Sequence, residues 1–278
     1  MNGYKLWTKI PNTICKGARV YTKTFSIDTR NDFKKRLVRV YIPSTYDFDN
    51  PNKRFKVLYM LDGKNLFDDY TSYVGEWGID ETIESFIKEE KSEGYIVVGI
   101  DAPNEDLGRT LEMTPDCLTF RKTIGIKEKG YASLLGKFIF DVVKPDIDRT
   151  FFTKPEKEFT GVGGSSMGGL MSFYLGLEYP DKIKYCLDFS PAFFLYTWDS
   201  FKQYLDSKID CDLPRHYFYV GGVGFEKSFI KTTKMTYEYF LNHGYSKDDV
   251  KFIIDKKQEH NEKAWRIYFP TMLKEIDK

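Results

Sequence analysis

Six short, nearly uninterrupted apolar runs alternate with helix-periodic segments through most of this chain, and that alternation limits the folds open to it. The runs at 55–61, 95–100, 159–162, 185–189, 217–220 and 250–254 have strand length and read as strands buried on both faces. Helical patterns lie at 79–90, 131–143, 168–179, 229–241 and 262–276. Strands alternating with helices require right-handed crossovers and build a largely parallel sheet. Two earlier segments, 19–27 and 36–42, alternate apolar and polar residues instead, as half-exposed antiparallel strands do. The expected fold is α/β, a mostly parallel eight-stranded sheet with helices on both faces. No Pro- or Ser-rich linker, repeat or low-complexity block interrupts it. A single domain spanning 1–278 is therefore expected, with a candidate small insertion at 192–213.

In such a sheet, working residues belong on the loops at the carboxyl ends of the strands. One of those loops carries Gly164-Ser165-Ser166-Met167-Gly168, a G-x-S-x-G pentapeptide between a strand-like run and a helix-like run. This is the setting of a nucleophile elbow, in which a serine sits on a turn so tight that its backbone is strained. Glycines two residues to either side avoid clashes with the strand and helix. A pentapeptide of this form also arises by chance, but the strand–turn–helix context favours Ser166 as nucleophile.

A serine hydroxyl needs a base, and the base needs an orienting acid. The chain has three histidines. His216 opens the seventh strand at the wrong edge, and His243 lies in an Asn242-His243-Gly244 helix C-cap pattern. His260 follows the eighth strand at the carboxyl edge, and it is the expected base. For the acid, Glu226 follows the flexible turn Gly221-Gly222-Val223-Gly224 after the seventh strand. Asp255 is the rival, on the eighth strand itself. An oxyanion hole requires two amides, one of them from the residue after the nucleophile, Met167. The second is expected after the third strand, in Asp62-Gly63-Lys64-Asn65, from the amide of Lys64 or Asn65. Activity should rise with pH as His260 loses its proton.

Charge and length exclude other classes. Lys plus Arg number 42 and Asp plus Glu 41, a net charge of +1, so no polyanion-binding stripe and no nucleic-acid partner are expected. No run approaches the roughly 18 apolar residues of a membrane span, and the first residues lack a signal-peptide core. A cytoplasmic protein with no membrane partner is the expectation. The four cysteines, Cys15, Cys117, Cys186 and Cys211, show no C-x-x-C spacing and read as reduced thiols, with no metal site or cofactor expected. Gly161-Val162-Gly163 does not open a dinucleotide loop, because Ser166 stands at the position of the third glycine. Tyr70, Tyr73, Trp77, Phe193, Phe194, Tyr196 and Trp198 fall near carboxyl-edge loops, which points to an aromatic pocket for an aryl or hydroxycinnamoyl ester.

Taken with Val57-Leu58-Tyr59-Met60-Leu61-Asp62-Gly63, Gly75-Glu76-Trp77-Gly78-Ile79-Asp80-Glu81, Arg109-Thr110-Leu111-Glu112 and His260-Asn261-Glu262, the elbow resembles the Putative esterase (esterase D-like) family of α/β-hydrolases. That family includes feruloyl, carbohydrate and siderophore esterases of enterobactin and bacillibactin type. The resemblance implies Ser166 as nucleophile, His260 as base, an acid matching Glu226 and a Met167 amide in the oxyanion hole. It also implies that Arg109 and Glu112 border the substrate cleft. The implied activity is that of a serine carboxylic ester hydrolase working through an acyl-enzyme on a small-molecule ester (sugar, feruloyl or siderophore-type). Transfer of the acyl group to a sugar or alcohol, a catalytically silent binding scaffold and assembly into a homo-oligomer stay open at this level.

Overall fold

A computed structural model describes residues 6–10, 19–29, 33–105, 107–209 and 212–277. In chain order its strands and α-helices are β1 (Thr8–Ile10), β2 (Arg19–Asp28), β3 (Phe33–Ile42), β4 (Lys56–Leu61), α1 (Ile79–Lys88), β5 (Tyr95–Ile100), α2 (Gly108–Glu112), α3 (Ala132–Lys137), α4 (Lys144–Thr150), β6 (Thr160–Ser165), α5 (Met167–Glu178), β7 (Tyr185–Phe189), α6 (Trp198–Asp206), β8 (Arg215–Gly221), α7 (Lys227–Asn242), β9 (Val250–Asp255) and α8 (Glu262–Ile276).

The strands form one nine-stranded sheet in the order β1-β2-β3-β5-β4-β6-β7-β8-β9. β1, β2 and β3 run antiparallel, and β3 meets β5 antiparallel. From β5 through β4 to β9 every pairing is parallel. The α/β architecture is the one expected, with one more strand. β1 is only three residues long, too short to show an alternation in sequence. The periodic segment at 131–143 is also longer than expected. Its last turns, Phe138–Val143, widen into a π-helix and run on into α4, past Pro145. A proline ring clashes with the carbonyl four residues back in a regular α-helix, so a local change of hydrogen-bond pitch lets the chain continue helically.

The sheet has a core on each face. One face packs Leu135, Ile139, Leu170, Phe173, Phe201 and Phe240, from α3 through α7, against Val98 and Val162. The other packs Ile79 and Ile83 of α1 and Trp265, Phe269 and Leu273 of α8 against Leu58, Val97 and Leu187. α5 is buried from Met167 to Leu177 on all its faces. Burial of side chains such as Leu170 and Phe173 contributes on the order of 1.5–3 kcal/mol each, so the helix behind Ser166 is firmly seated. Segment 192–213 carries a short 3-10 turn and α6, tied to the body by a Phe120–Tyr196 bridge and by the Arg121 amide donating to the Leu195 carbonyl (2.9 Å). Cys117 and Cys186 are free thiols, whereas Cys15 and Cys211 lie outside the described residues. No helix among the described residues is long and apolar enough to cross a membrane.

Because the strands from β4 to β9 are parallel, their carboxyl ends share one edge. Asp62 follows β4, Asp101 follows β5, Ser166 follows β6, Ser190 follows β7, and Glu226 and His260 lie beyond β8 and β9.

Candidate active site

Ser166 joins β6 to α5 with φ 60° and ψ −116°, a conformation that costs a non-glycine residue on the order of 1–3 kcal/mol and persists only where its surroundings enforce it. They do so through hydrogen bonds: the Ser166 amide donates to the Phe189 carbonyl (2.9 Å), and its carbonyl accepts from the amides of Leu170 (3.0 Å) and Ala192 (3.1 Å). The flanking glycines are steric necessities. A Cβ at Gly164 would lie 2.7 Å from the Gly168 backbone, and one at Gly168 would lie 3.0 Å from Asp62. Met167 is the first residue of α5, so its amide is one of the helix N–H groups without an intrahelical acceptor and sits beside the hydroxyl.

The imidazole and the acid are held together by the loops beyond β8 and β9. Glu226 is wholly buried. Its Oε2 takes a hydrogen bond from His260 Nδ1, and its Oε1 accepts from the Gly221 amide (2.8 Å) and from Ser190 Oγ. Close approach of the two loops depends on glycine. The amides of Gly222 and Val223 donate to the Gln258 carbonyl at 2.9 and 3.0 Å, and a Cβ at Gly221 would fall 2.5 Å from that oxygen. Asn261 caps α8 by accepting from the Ala264 amide (3.0 Å), which fixes the backbone next to His260. The imidazole stacks on Phe229 at 4.6 Å and meets Trp265 edge-on at 5.0 Å. Asp255, the alternative acid, faces away and accepts from Tyr268 Oη (2.7 Å) and the Lys257 amide (2.9 Å).

Asp62, directly after β4, has a left-handed φ of 57° and leads into a 3-10 turn over Gly63–Asn65. Within that turn the Asn65 amide donates to the Asp62 carbonyl (2.9 Å). Of the two amides expected to complete an oxyanion hole, Asn65's is therefore spent, which leaves Lys64's. The Asn65 side chain braces the turn, with Nδ2 donating to Glu262 (3.2 Å) and Oδ1 accepting from the Tyr73 amide (3.1 Å). Arg109 reaches across from α2 and grips Asp62 with two bonds of 2.6 Å while touching the Ser165 carbonyl at 3.2 Å. One guanidinium thus links the β4 turn to the nucleophile strand; burial works against its charge, but the charge and hydrogen bonds of Asp62 together hold its pKa up.

Ser166 and His260 open onto one cavity of about 360 Å³, which Asp62, Lys64, Asn65, Arg109 and Glu262 also line. Three expectations need correction. Arg109 lines this cavity but Glu112 does not: Glu112 is buried, with both oxygens taken by Arg36 (2.8 and 2.7 Å). Trp77 does not reach the cavity, because it packs in the core between Phe189, Trp265 and Phe269 and its amide donates to the Asn65 carbonyl. The aromatic pocket does not assemble either. Phe193 and Tyr196 are buried in the core, Tyr70 projects into solvent, and of the seven only Tyr73 lines the cavity. Trp77, Phe193 and Tyr196 face inward because apolar burial outweighs their position in sequence.

Two residues absent from the sequence expectation stand at the site. Ser190, buried with φ 44°, donates to Glu226 and accepts from Trp265 Nε1 (3.0 Å). Its position directly after β7 was the available signal. Glu262 lines the cavity, and burial raises its pKa, helped by the neighbouring Asp62 charge.

A family model described as Putative esterase matches residues 33–276. A curated relative, the uncharacterized protein YbbA of Bacillus subtilis (strain 168), is 22% identical over 240 residues, which is 82% of this chain and 87% of that protein. Among solved structures, the BES protein from Bacillus cereus superposes with a TM-score of 0.70 at 17% identity, over 96% of this chain and 97% of that one. The siderophore hydrolase EstB from Aspergillus nidulans gives 0.64 at 17% identity, over 90% and 94% of the two chains.

Proposed function

As a member of the Putative esterase family this chain is a carboxylic ester hydrolase, and we propose that it works as a serine hydrolase with Ser166 as nucleophile, His260 as general base and Glu226 as the orienting acid. The observation that carries the reading is the buried Glu226 carboxylate bonded to His260 Nδ1, with the imidazole and the elbow serine opening onto one cavity. Nδ1–H bound to a carboxylate leaves Nε2 as the free acceptor, the tautomer a general base requires. In the first half-reaction Ser166 Oγ attacks the ester carbonyl as His260 takes its proton. The amides of Met167 and Lys64 receive the negative charge that develops on the carbonyl oxygen. The imidazolium then protonates the leaving alcohol. In the second half-reaction His260 activates water against the acyl-enzyme and returns the proton to Ser166.

The substrate class is a small-molecule ester. The family's range and the similarity to a protein described as a siderophore hydrolase make sugar, feruloyl and siderophore-type esters the first panel to assay. Wild type and Ser166→Ala are compared on 4-nitrophenyl, acetylated-sugar, feruloyl and siderophore esters, and Ser166 is probed with a fluorophosphonate. Turnover by wild type, its loss in Ser166→Ala and a single labelled serine are expected. Activity that survives the substitution would remove Ser166 from the reaction.

A further inference from the structure

A second, larger cavity of about 680 Å³ adjoins the first, and Lys64, Ala102 and Pro103 line both. Its wall has an unusual charge balance. Three of its carboxylates are already answered. Glu112 is held by Arg36, and Asp101 is gripped by Arg39 at 2.8 and 3.0 Å. Glu105 lies 3.9 Å from Lys34 at the exposed rim. Lys35 and Lys64 remain, both on the cavity wall, and neither makes an ion pair with any other described residue. Two uncompensated ammonium groups on one concave wall, Lys35 exposed and Lys64 half-buried, raise the positive potential there. Such a wall favours an anion and disfavours a neutral group that displaces the same water.

We propose that this annex receives an anionic group of the ester, so that the substrate class is an ester carrying a carboxylate, phosphate or sulfate away from its scissile carbonyl. This deepens the hydrolase reading and rests on it for the position of the scissile bond. Recognition of the anion itself is a binding property that can be measured without turnover. The geometry allows the charge on either the acyl or the alcohol part, and matched ester pairs separate the two. 4-Nitrophenyl hydrogen glutarate against 4-nitrophenyl valerate places it on the acyl side. 4-Acetoxybenzoate against its methyl ester places it on the leaving alcohol.

Affinity is measured by calorimetry on Ser166→Ala, and turnover of the same esters on wild type. Two partly exposed ion contacts correspond to about a tenfold preference. The expected result is that at least one anionic ester binds about tenfold more tightly than its neutral partner. Adding Lys35→Glu, an exposed position, should reduce that preference to threefold or less while leaving affinity for the neutral ester unchanged. Equal affinity within both pairs overturns the proposal, even if wild type hydrolyses the neutral esters. A preference that persists in Lys35→Glu also overturns it. Selective binding of the anionic ester without turnover by wild type would leave the annex standing and count against the hydrolase reading instead.

Discussion

Replacing Glu226 with Gln separates the role of its charge and acceptor pattern from the role of its shape. The side chains are nearly isosteric, and the site dictates which way the new amide must point. Oε1 receives two donors, the Gly221 amide at 2.8 Å and Ser190 Oγ, so the glutamine carbonyl takes that position. The NH2 group is then turned toward His260 Nδ1. A donor facing Nδ1 forces that nitrogen to accept, so the imidazole carries its proton on Nε2 and cannot take one from Ser166. The reverse flip would restore the tautomer but set NH2 against two donors in a fully buried pocket, an arrangement costing about 1–3 kcal/mol for each unsatisfied group. A forced wrong tautomer lowers kcat by roughly 10⁴-fold in the serine-protease triad, equivalent to about 5.5 kcal/mol of transition-state stabilisation. The assay is kcat/KM on a 4-nitrophenyl ester from pH 5 to 9, with thermal melting to confirm that the variant is folded. A folded Glu226→Gln enzyme within tenfold of wild type would refute the tautomer argument and with it the assignment of Glu226.

Three further outcomes are expected. Ser190→Ala strands the buried Trp265 indole N–H and removes one donor from Glu226, at about 1–3 kcal/mol and so a Tm lower by about 2–10 °C; an unchanged Tm would show that another acceptor takes over. Asp62→Asn keeps a residue tolerant of the left-handed φ but ends the two-bond grip of Arg109. The Lys64 turn should loosen, lowering kcat by about 10–100-fold with a smaller change in KM, and a kcat within twofold would mean the guanidinium does not hold that turn. Burial, aided by the Glu81 charge and opposed by Arg266, pushes the Glu76 carboxyl up to about 7. A folded-state value above the unfolded one means the stabilisation is complete below about pH 4.5 and is lost as pH rises through 7. Glu76→Gln cannot ionise, so its Tm should gain on wild type by about 2–4 °C between pH 5 and pH 8; parallel melting curves across that range would contradict the assignment.

How much was legible depended on the kind of signal. The run 159–162, the pentapeptide around Ser166 and the helical spacing after it are local patterns, and local patterns survive in sequence. The carboxyl-edge rule then selected His260 over His216 and His243, because strand order alone says which loops share an edge. His216 is fully buried near the start of β8 and bonds Asp188 at 2.8 Å inside the core. The partners of Arg109 and Glu112 were not legible, since Asp62 and Arg36 lie 47 and 76 residues away in sequence. Trp77 was misread for a related reason. A tryptophan beside a loop looks the same in sequence whether it faces solvent, ligand or core, and the packing of Phe189, Trp265 and Phe269 decided the matter.

By itself the sequence determined the layered α/β architecture, the strained serine turn and the edge to which distant loops converge, because each follows from periodicity, glycine placement and chain order. Only the tertiary structure decided which charges are consumed by internal pairs and which are left over. It gave Asp62 to Arg109 and Glu112 to Arg36, brought Ser190 beneath Glu226, and left Lys35 and Lys64 facing a second cavity. The physical reason is that hydrogen-bond and ion-pair partners are chosen by distance in space, which residue type and spacing along the chain do not encode.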